Sequence, residues 1–178
     1  PVKSGERYFY VWSHRKNIGT PLDTGSMLMI AEFDPVHPER LISEPKCLSR
    51  PLYGFENTEH TINNEGPYAF YYHNKIYLAY SGGDARGYLY AIGMLTANDG
   101  DDLCDLSVWE KAKTPIASFA TIPGEYGPGH NSFFWDRDQN LWIAYHAVTS
   151  FEEKIVSSGM RRVYFEQDKT PRFDVIVE

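Results

Sequence analysis

Residues 64–81, NEGPYAFYYHNKIYLAYS, lie on residues 129–146, GHNSFFWDRDQNLWIAYH, when the chain is moved past itself by 65 positions. Ile76-Tyr77-Leu78-Ala79-Tyr80-Ser81 then covers Leu141-Trp142-Ile143-Ala144-Tyr145-His146, and Tyr68-Ala69-Phe70 covers Phe133-Phe134-Trp135. Between the runs stand His73-Asn74-Lys75 and Asp138-Gln139-Asn140, polar residues of the kind that turn a chain back on itself. Each unit reads as strand, tight turn, strand: a hairpin expected to keep the same register in both copies. A shift of 68 lays Tyr8 to Ser13 on Ile76 to Ser81, a further copy whose opening strand is expected upstream of Pro1. A third run and a weaker fourth follow each hairpin, and repeats of four antiparallel strands are the blades of a propeller.

Strand signals dominate the rest of the chain. Met27 to Phe33, Tyr88 to Leu95 and Arg162 to Glu166 are short aromatic or β-branched runs punctuated by Gly, Pro, Asn and Asp. No segment sustains a 3.6-residue period, and Asp101 to Trp109 holds a helical turn at most. The expected class is all-β, with blade-like units over about 1–50, 51–118 and 119–178. Three blades do not close a ring, and an open propeller exposes apolar blade faces. The chain begins at Pro1 without Met and is expected to be a processed or truncated product.

Composition narrows the partners. The net charge is -7 with no basic cluster, so a nucleic-acid partner is not expected. No apolar run has the length of a membrane span. Aromatic residues make up 15%, which serves a β-rich core or a surface that stacks on sugar rings. Cys47 and Cys104 lack metal-ligand spacing and read as two free buried thiols, with a disulfide between them as the alternative. The compartment, secreted or cytoplasmic, stays open.

Chemistry concentrates at one position of the repeat. The residue opening the first strand is Glu65 in Asn64-Glu65-Gly66-Pro67, and 65 positions on it is His130 in Gly127-Pro128-Gly129-His130-Asn131. First strands of propeller blades line the central channel, so a carboxyl and an imidazole are expected to point into one funnel from adjacent blades. Gly and Pro beside both give the backbone a fixed path. Phe55 and Tyr53 precede that strand and could reach the channel mouth, as sugar platforms or as core. His146 takes the place of Ser81 in the sister blade and reads as structural. Asp99, Asp101, Asp102 and Asp105 lack the spacing of an EF-hand and read as a solvated loop.

Four strings then show a resemblance. NNEGPYAFYYHNKIYLAYSGG (63–83), YAIGMLTANDGDDLCDLSVWEKAKTPI (90–116), YGPGHNSFFWDRDQNLWIAYHA (126–147) and RRVYFEQDKTPRFDVIVE (161–178) appear in order. They resemble segments of glycoside hydrolase family 43, five-bladed β-propeller enzymes of the arabinofuranosidase, xylosidase and arabinanase type. The resemblance covers about residues 50–178 and marks the chain as resembling the C-terminal part of such a catalytic domain. It implies an inverting glycosidase acting on α-L-arabinofuranosyl or β-xylosyl linkages of plant cell-wall polysaccharides. In that chemistry a carboxylic acid protonates the leaving oxygen while a carboxylate about 6.5–9.5 Å away activates water. By resemblance Glu65 is the acid. His130 sits near the axis as a substrate contact, or helps hold a calcium ion through water. The base Asp belongs to an earlier blade, and the Asp that tunes the acid falls upstream of Pro1. Asp23 and Asp34 do not fit that position. The chain is therefore expected to need the missing N-terminal half of the propeller, or another chain, for activity on an arabinose- or xylose-containing glycan.

The last blade departs from the family pattern. Where relatives carry a substrate-reaching Arg, this chain has Gly159, and Arg161 is the candidate to replace it or an outer-strand arginine. Two further readings compete with the hydrolase: a non-catalytic carbohydrate-binding propeller or inactive fragment, and a related propeller acting on fructosyl linkages, against which the EGP and GPGH strings speak.

Overall fold

The computed structural model describes residues 1–152 and 155–175. Three antiparallel sheets carry the chain in sequence order. The first holds β1 (Val2–Ser4), β2 (Arg7–His14), β3 (Met27–Phe33) and β4 (Lys46–Ser49). A small ladder of β5 (Asn57–Thr58) and β6 (Thr61–Ile62) leads into the second sheet, β7 (Asn64–Tyr72), β8 (Lys75–Gly82), β9 (Ala91–Asn98) and β10 (Glu110–Lys111). The third contains β11 (Tyr126–Trp135), β12 (Leu141–Val148) and β13 (Val156–Arg162), after which β14 (Tyr164–Phe165) pairs β15 (Pro171–Arg172). Strands adjacent in sequence are adjacent in each sheet, the up-and-down order of a propeller blade. Helix is confined, among the described residues, to two single 3-10 turns, Gly54–Glu56 and Leu106–Val108. No helix among them is long and apolar enough to cross a membrane.

The chain is thus an all-β partial propeller, and four details correct the sequence reading. The first sheet does have part of an opening strand: Val2 pairs Phe9 just as Phe70 pairs Tyr77. The third sheet has three strands among the described residues instead of four. Its third strand is Val156–Arg162, ahead of the expected run at 162–166, because the ladder accepts the polar sequence VSSGMRR that no apolar pattern marks. The two hairpins also differ in register. Tyr68 faces Ala79, but Phe133 faces Ile143 where a strict repeat would place Ala144. The two-residue turn His73-Asn74, both with positive φ as a type I′ turn requires, becomes the five-residue loop 136–140.

Alternation along β8 explains why the middle sheet holds the molecule together. Ile76, Leu78 and Tyr80 point one way and pack with Phe9, Leu28 and Ile30 of the first sheet. Tyr77 and Ala79 point the other way and pack with Phe133, Ile143 and Tyr145 of the third. All five are at most 2% exposed. Each large apolar side chain so buried contributes about 1.5–3 kcal/mol. The outer sheets bury one face each. On β12 Leu141, Ile143, Tyr145 and Ala147 are buried while Trp142, Ala144 and His146 are half-exposed. On β2 the half-exposed face carries Tyr8, Tyr10 and Trp12. Both cysteines are free; Cys104 is buried and Cys47, expected buried too, is half-exposed.

Candidate active site

Two backbone devices shape the entry to the site. Gly66 and Pro67 both stand opposite Tyr80, between the ladder pairs Glu65–Ser81 and Tyr68–Ala79, and Gly66 has φ +58°. A glycine in the left-handed region followed by a proline that donates no hydrogen bond makes a β-bulge, which re-aims the strand end. Gly127-Pro128 repeats the device on β11, opposite Ala147, with Gly127 at φ +58°. A second bulge follows at once: His130 and Asn131 share Tyr145 as partner, and His130 has φ +50°. The ladder equivalent of Glu65 is therefore Gly129, opposite His146, and His130 is the extra residue. Holding a histidine left-handed costs about 1–2 kcal/mol. The hydrogen bond from its N–H to Ser81 Oγ at 2.8 Å offsets part of that.

Three sheets meet at this point. The Tyr90 hydroxyl donates to Glu65 Oε1 at 2.7 Å and lies 3.5 Å from His130 Nδ1. Tyr90 is fully buried, and its ring lies so close to Gly129 that a Cβ there would come within 2.0 Å of it. The His146 ring backs it in parallel at 5.6 Å, and the His130 ring lies 6.4 Å from His146. The His130 ring also covers Gly66, next to Glu65 in the chain. From the first sheet, Ser13 Oγ accepts from the Gly66 N–H at 3.3 Å, and Arg15 forms a two-point pair with Asp23 at 2.7 and 2.8 Å. Burial, with the Glu65 charge nearby, pushes the Tyr90 hydroxyl far above its ordinary pKa, so it remains a donor at every working pH. Burial and the neighbouring His130 hold His146 below the usual histidine value, leaving it neutral at pH 7. The Arg15 guanidinium holds Asp23 well below the carboxylate range, and Asp23 raises Arg15, with Glu65 adding to its field.

The structure brings Glu65 and His130 together, with Tyr90 between them. Phe55 sits instead against Gly82 and the core between the first two sheets, its ring 6.4 Å from Tyr53. Arg161 lies away from the cluster, opposite Ile143 in the ladder. Its guanidinium binds Glu125 at 2.9 Å and the Tyr145 hydroxyl at 2.8 Å. The middle sheet has the same arrangement in Tyr80, Glu56 and Lys111. Gly159 faces Tyr145, whose ring occupies the space of any side chain there. Sequence reading missed Tyr90, Ser13 and Arg15. Tyr90 stands just before β9, where aromatic residues read as strand core.

No group of three or more His, Cys, Asp or Glu among the described residues could hold a metal ion. Calcium takes six to eight oxygens, and one imidazole beside a tyrosine hydroxyl does not ligate it directly. Two acidic-loop carboxylates instead brace the first sheet: Asp99 accepts from the Gly5 N–H at 2.8 Å and Asp102 pairs Arg7 at 3.0 Å.

A repeat of up-and-down sheets with a carboxyl, a tyrosine and two histidines gathered at one end places the chain in the class of β-propellers. The model of glycosyl hydrolases family 43 matches residues 2–171, and the chain belongs to that family. It is 29% identical, over 99% of its length, to an extracellular exo-α-(1→5)-L-arabinofuranosidase of Streptomyces avermitilis. It is 34% identical, over 80% of its length, to the enzyme of the same name from Streptomyces chartreusis. The chain accounts for 37% and 42% of those two proteins. Among solved structures, an α-L-arabinofuranosidase from Lactobacillus brevis superposes with a TM-score of 0.81 at 27% identity, covering 97% of this chain and 53% of that one.

Proposed function

We propose that this chain supplies the general acid of an inverting glycosidase acting on arabinofuranosyl, or xylosyl, linkages of plant cell-wall polysaccharides. The observation that carries the reading is the placement of Glu65. Its carboxyl opens β7, is half-buried, and is held by Tyr90 beside His130 where three sheets converge. A carboxylic acid so held can give its proton to a glycosidic oxygen as the C1–O bond breaks, leaving a carboxylate and a neutral sugar alcohol. His130, exposed at the mouth, is the first candidate to contact the sugar. The names of the two Streptomyces relatives favour an arabinofuranosyl substrate.

Inversion also needs a base carboxylate on the far side of the sugar ring. That base and the carboxylate that tunes the acid come, in this reading, from the propeller segment that covers the half-exposed face of Tyr8, Tyr10 and Trp12. The test is a Glu65→Gln variant of the enzyme comprising this chain and that segment. Hydrolysis of arabino-oligosaccharides falls by about 10²–10⁴, while the wild-type enzyme is active on 4-nitrophenyl α-L-arabinofuranoside or the matching xyloside. Wild-type rates on the oligosaccharide in the Gln variant would remove Glu65 from the role of acid.

A further inference from the structure

We propose that Tyr90 is the positioning residue of Glu65, fixing Oε1 as the acceptor so that the transferable proton is carried on Oε2. The inference rests on Glu65 being the general acid and adds which oxygen acts and what holds it. The geometry is a pair of hydrogen bonds that tie the second and third sheets around Glu65. The backbone N–H of His130, presented by its left-handed bulge, donates to Ser81 Oγ at 2.8 Å. Tyr90 donates to Glu65 Oε1 at 2.7 Å. Ser81 and Tyr90 are both fully buried, so water does not compete for these bonds.

Tyr90 has a phenolic proton to give, and Glu65 Oε1 at 2.7 Å lies nearer to it than His130 Nδ1 at 3.5 Å. A protonated carboxyl has one carbonyl oxygen and one hydroxyl oxygen. The carbonyl oxygen is the better acceptor, so the Tyr90 bond selects Oε1 as carbonyl and leaves the acid proton on Oε2. As the proton passes from Oε2 to the glycosidic oxygen, the C1–O bond breaks and negative charge spreads over both carboxyl oxygens. The Tyr90 bond then becomes a charge-assisted one and strengthens, favouring the transition state over the ground state. The ring cannot drift from this position. Gly129 admits it where any side chain would collide, and the His146 ring lies parallel to it at 5.6 Å.

Tyr90→Phe keeps the ring and deletes the donor. The test compares kcat for two arabinofuranosides in the complete enzyme: one with a poor alkoxide leaving group, which needs the proton, and one with a dinitrophenolate leaving group, which does not. We expect kcat on the poor leaving group to fall on the order of 10- to 100-fold, with kcat on the dinitrophenyl substrate and both KM values nearly unchanged. Equal losses on both substrates, or no loss, overturn the proposal. Glu65→Gln run alongside separates the two failures. If Glu65→Gln shows no dependence on leaving group, the general-acid reading itself fails. If Glu65→Gln shows it and a folded Tyr90→Phe does not, only the positioning role fails. Should Tyr90→Phe not fold, the bond is read in the wild-type protein by NMR. The Tyr90 hydroxyl proton is expected as a slowly exchanging resonance that is lost to fast exchange in Glu65→Ala; the same slow exchange in Glu65→Ala overturns the proposal.

Discussion

Gly129 is the smallest residue in the site and the one with least freedom to change. Its backbone lies against the ring of Tyr90, and a methyl group there would sit 2.0 Å from a ring carbon. Gly129→Ala is expected to displace Tyr90 and to lower stability by about 1–3 kcal/mol, as overpacking does; a urea titration with constant m-value measures it. His146, whose ring lies parallel to that of Tyr90, gives a pH signature. Its folded-state pKa is depressed by burial and by His130, from an ordinary value of 6.5. Above 6.5 it is neutral in both states and its contribution is complete. Below that, the unfolded chain takes up the proton first, so stability is lost as pH falls through the folded value. The urea midpoint is expected to drop from pH 7 to pH 5 in the wild type and to drop less in His146→Gln. These effects were half legible in the sequence. Glu65 and His130 stand out because they share a place in the repeat, whereas Tyr90 is one aromatic among thirteen tyrosines and ten phenylalanines. Nothing in the spacing tells a ring that fills a core from a hydroxyl that holds a carboxyl.

The strands and turns that carry these residues are secured by buried ion pairs at sheet edges. Glu56, in the 3-10 turn before β7, is fully buried; it accepts from the Tyr80 hydroxyl at 2.7 Å and pairs Lys111 of β10 at 2.5 Å. Burial holds the Lys111 pKa below its usual value even though Glu56 raises it, so desolvation is the larger effect on the lysine. Lys111→Met leaves a carboxylate buried without its cation and is expected to cost about 3–5 kcal/mol. The double variant with Glu56→Gln is expected to recover most of that, and thermal or chemical unfolding of the two variants checks both. The hairpins of each blade were readable because alternation and turn residues coincide there. The bulges were not. Gly66-Pro67 and Gly127-Pro128 repeat at a spacing of 61, against 65 for the strands around them, and His130 adds one more residue. A gapless comparison therefore pairs Glu65 with His130, although in the ladder Glu65 corresponds to Gly129. The edge strand β13 escaped for a related reason: backbone pairing with β12 holds it, and its residues, four of the seven exposed, show no apolar pattern.

In the molecule as a whole, the middle sheet is buried on both faces and the outer two on one. Tyr8, Tyr10 and Trp12 at one end, and Phe134, Trp142 and Met160 at the other, form the faces against which neighbouring blades of a propeller would stack. The all-β class and the propeller repeat followed from the sequence because every blade must solve the same packing problem with the same alternation. The meeting of three sheets at Glu65 depended on register and bulges, which the sequence leaves implicit. The most direct test is a crystal structure of Glu65→Gln, in the complete enzyme, bound to an arabinofuranosyl oligosaccharide. The account predicts the glycosidic oxygen about 2.6–3.2 Å from the amide atom that replaces Oε2, with Tyr90 bonded to the other and the sugar beside His130. A sugar bound at the opposite end of the sheets, or residue 65 turned away from Tyr90 and from the glycosidic bond, would contradict it.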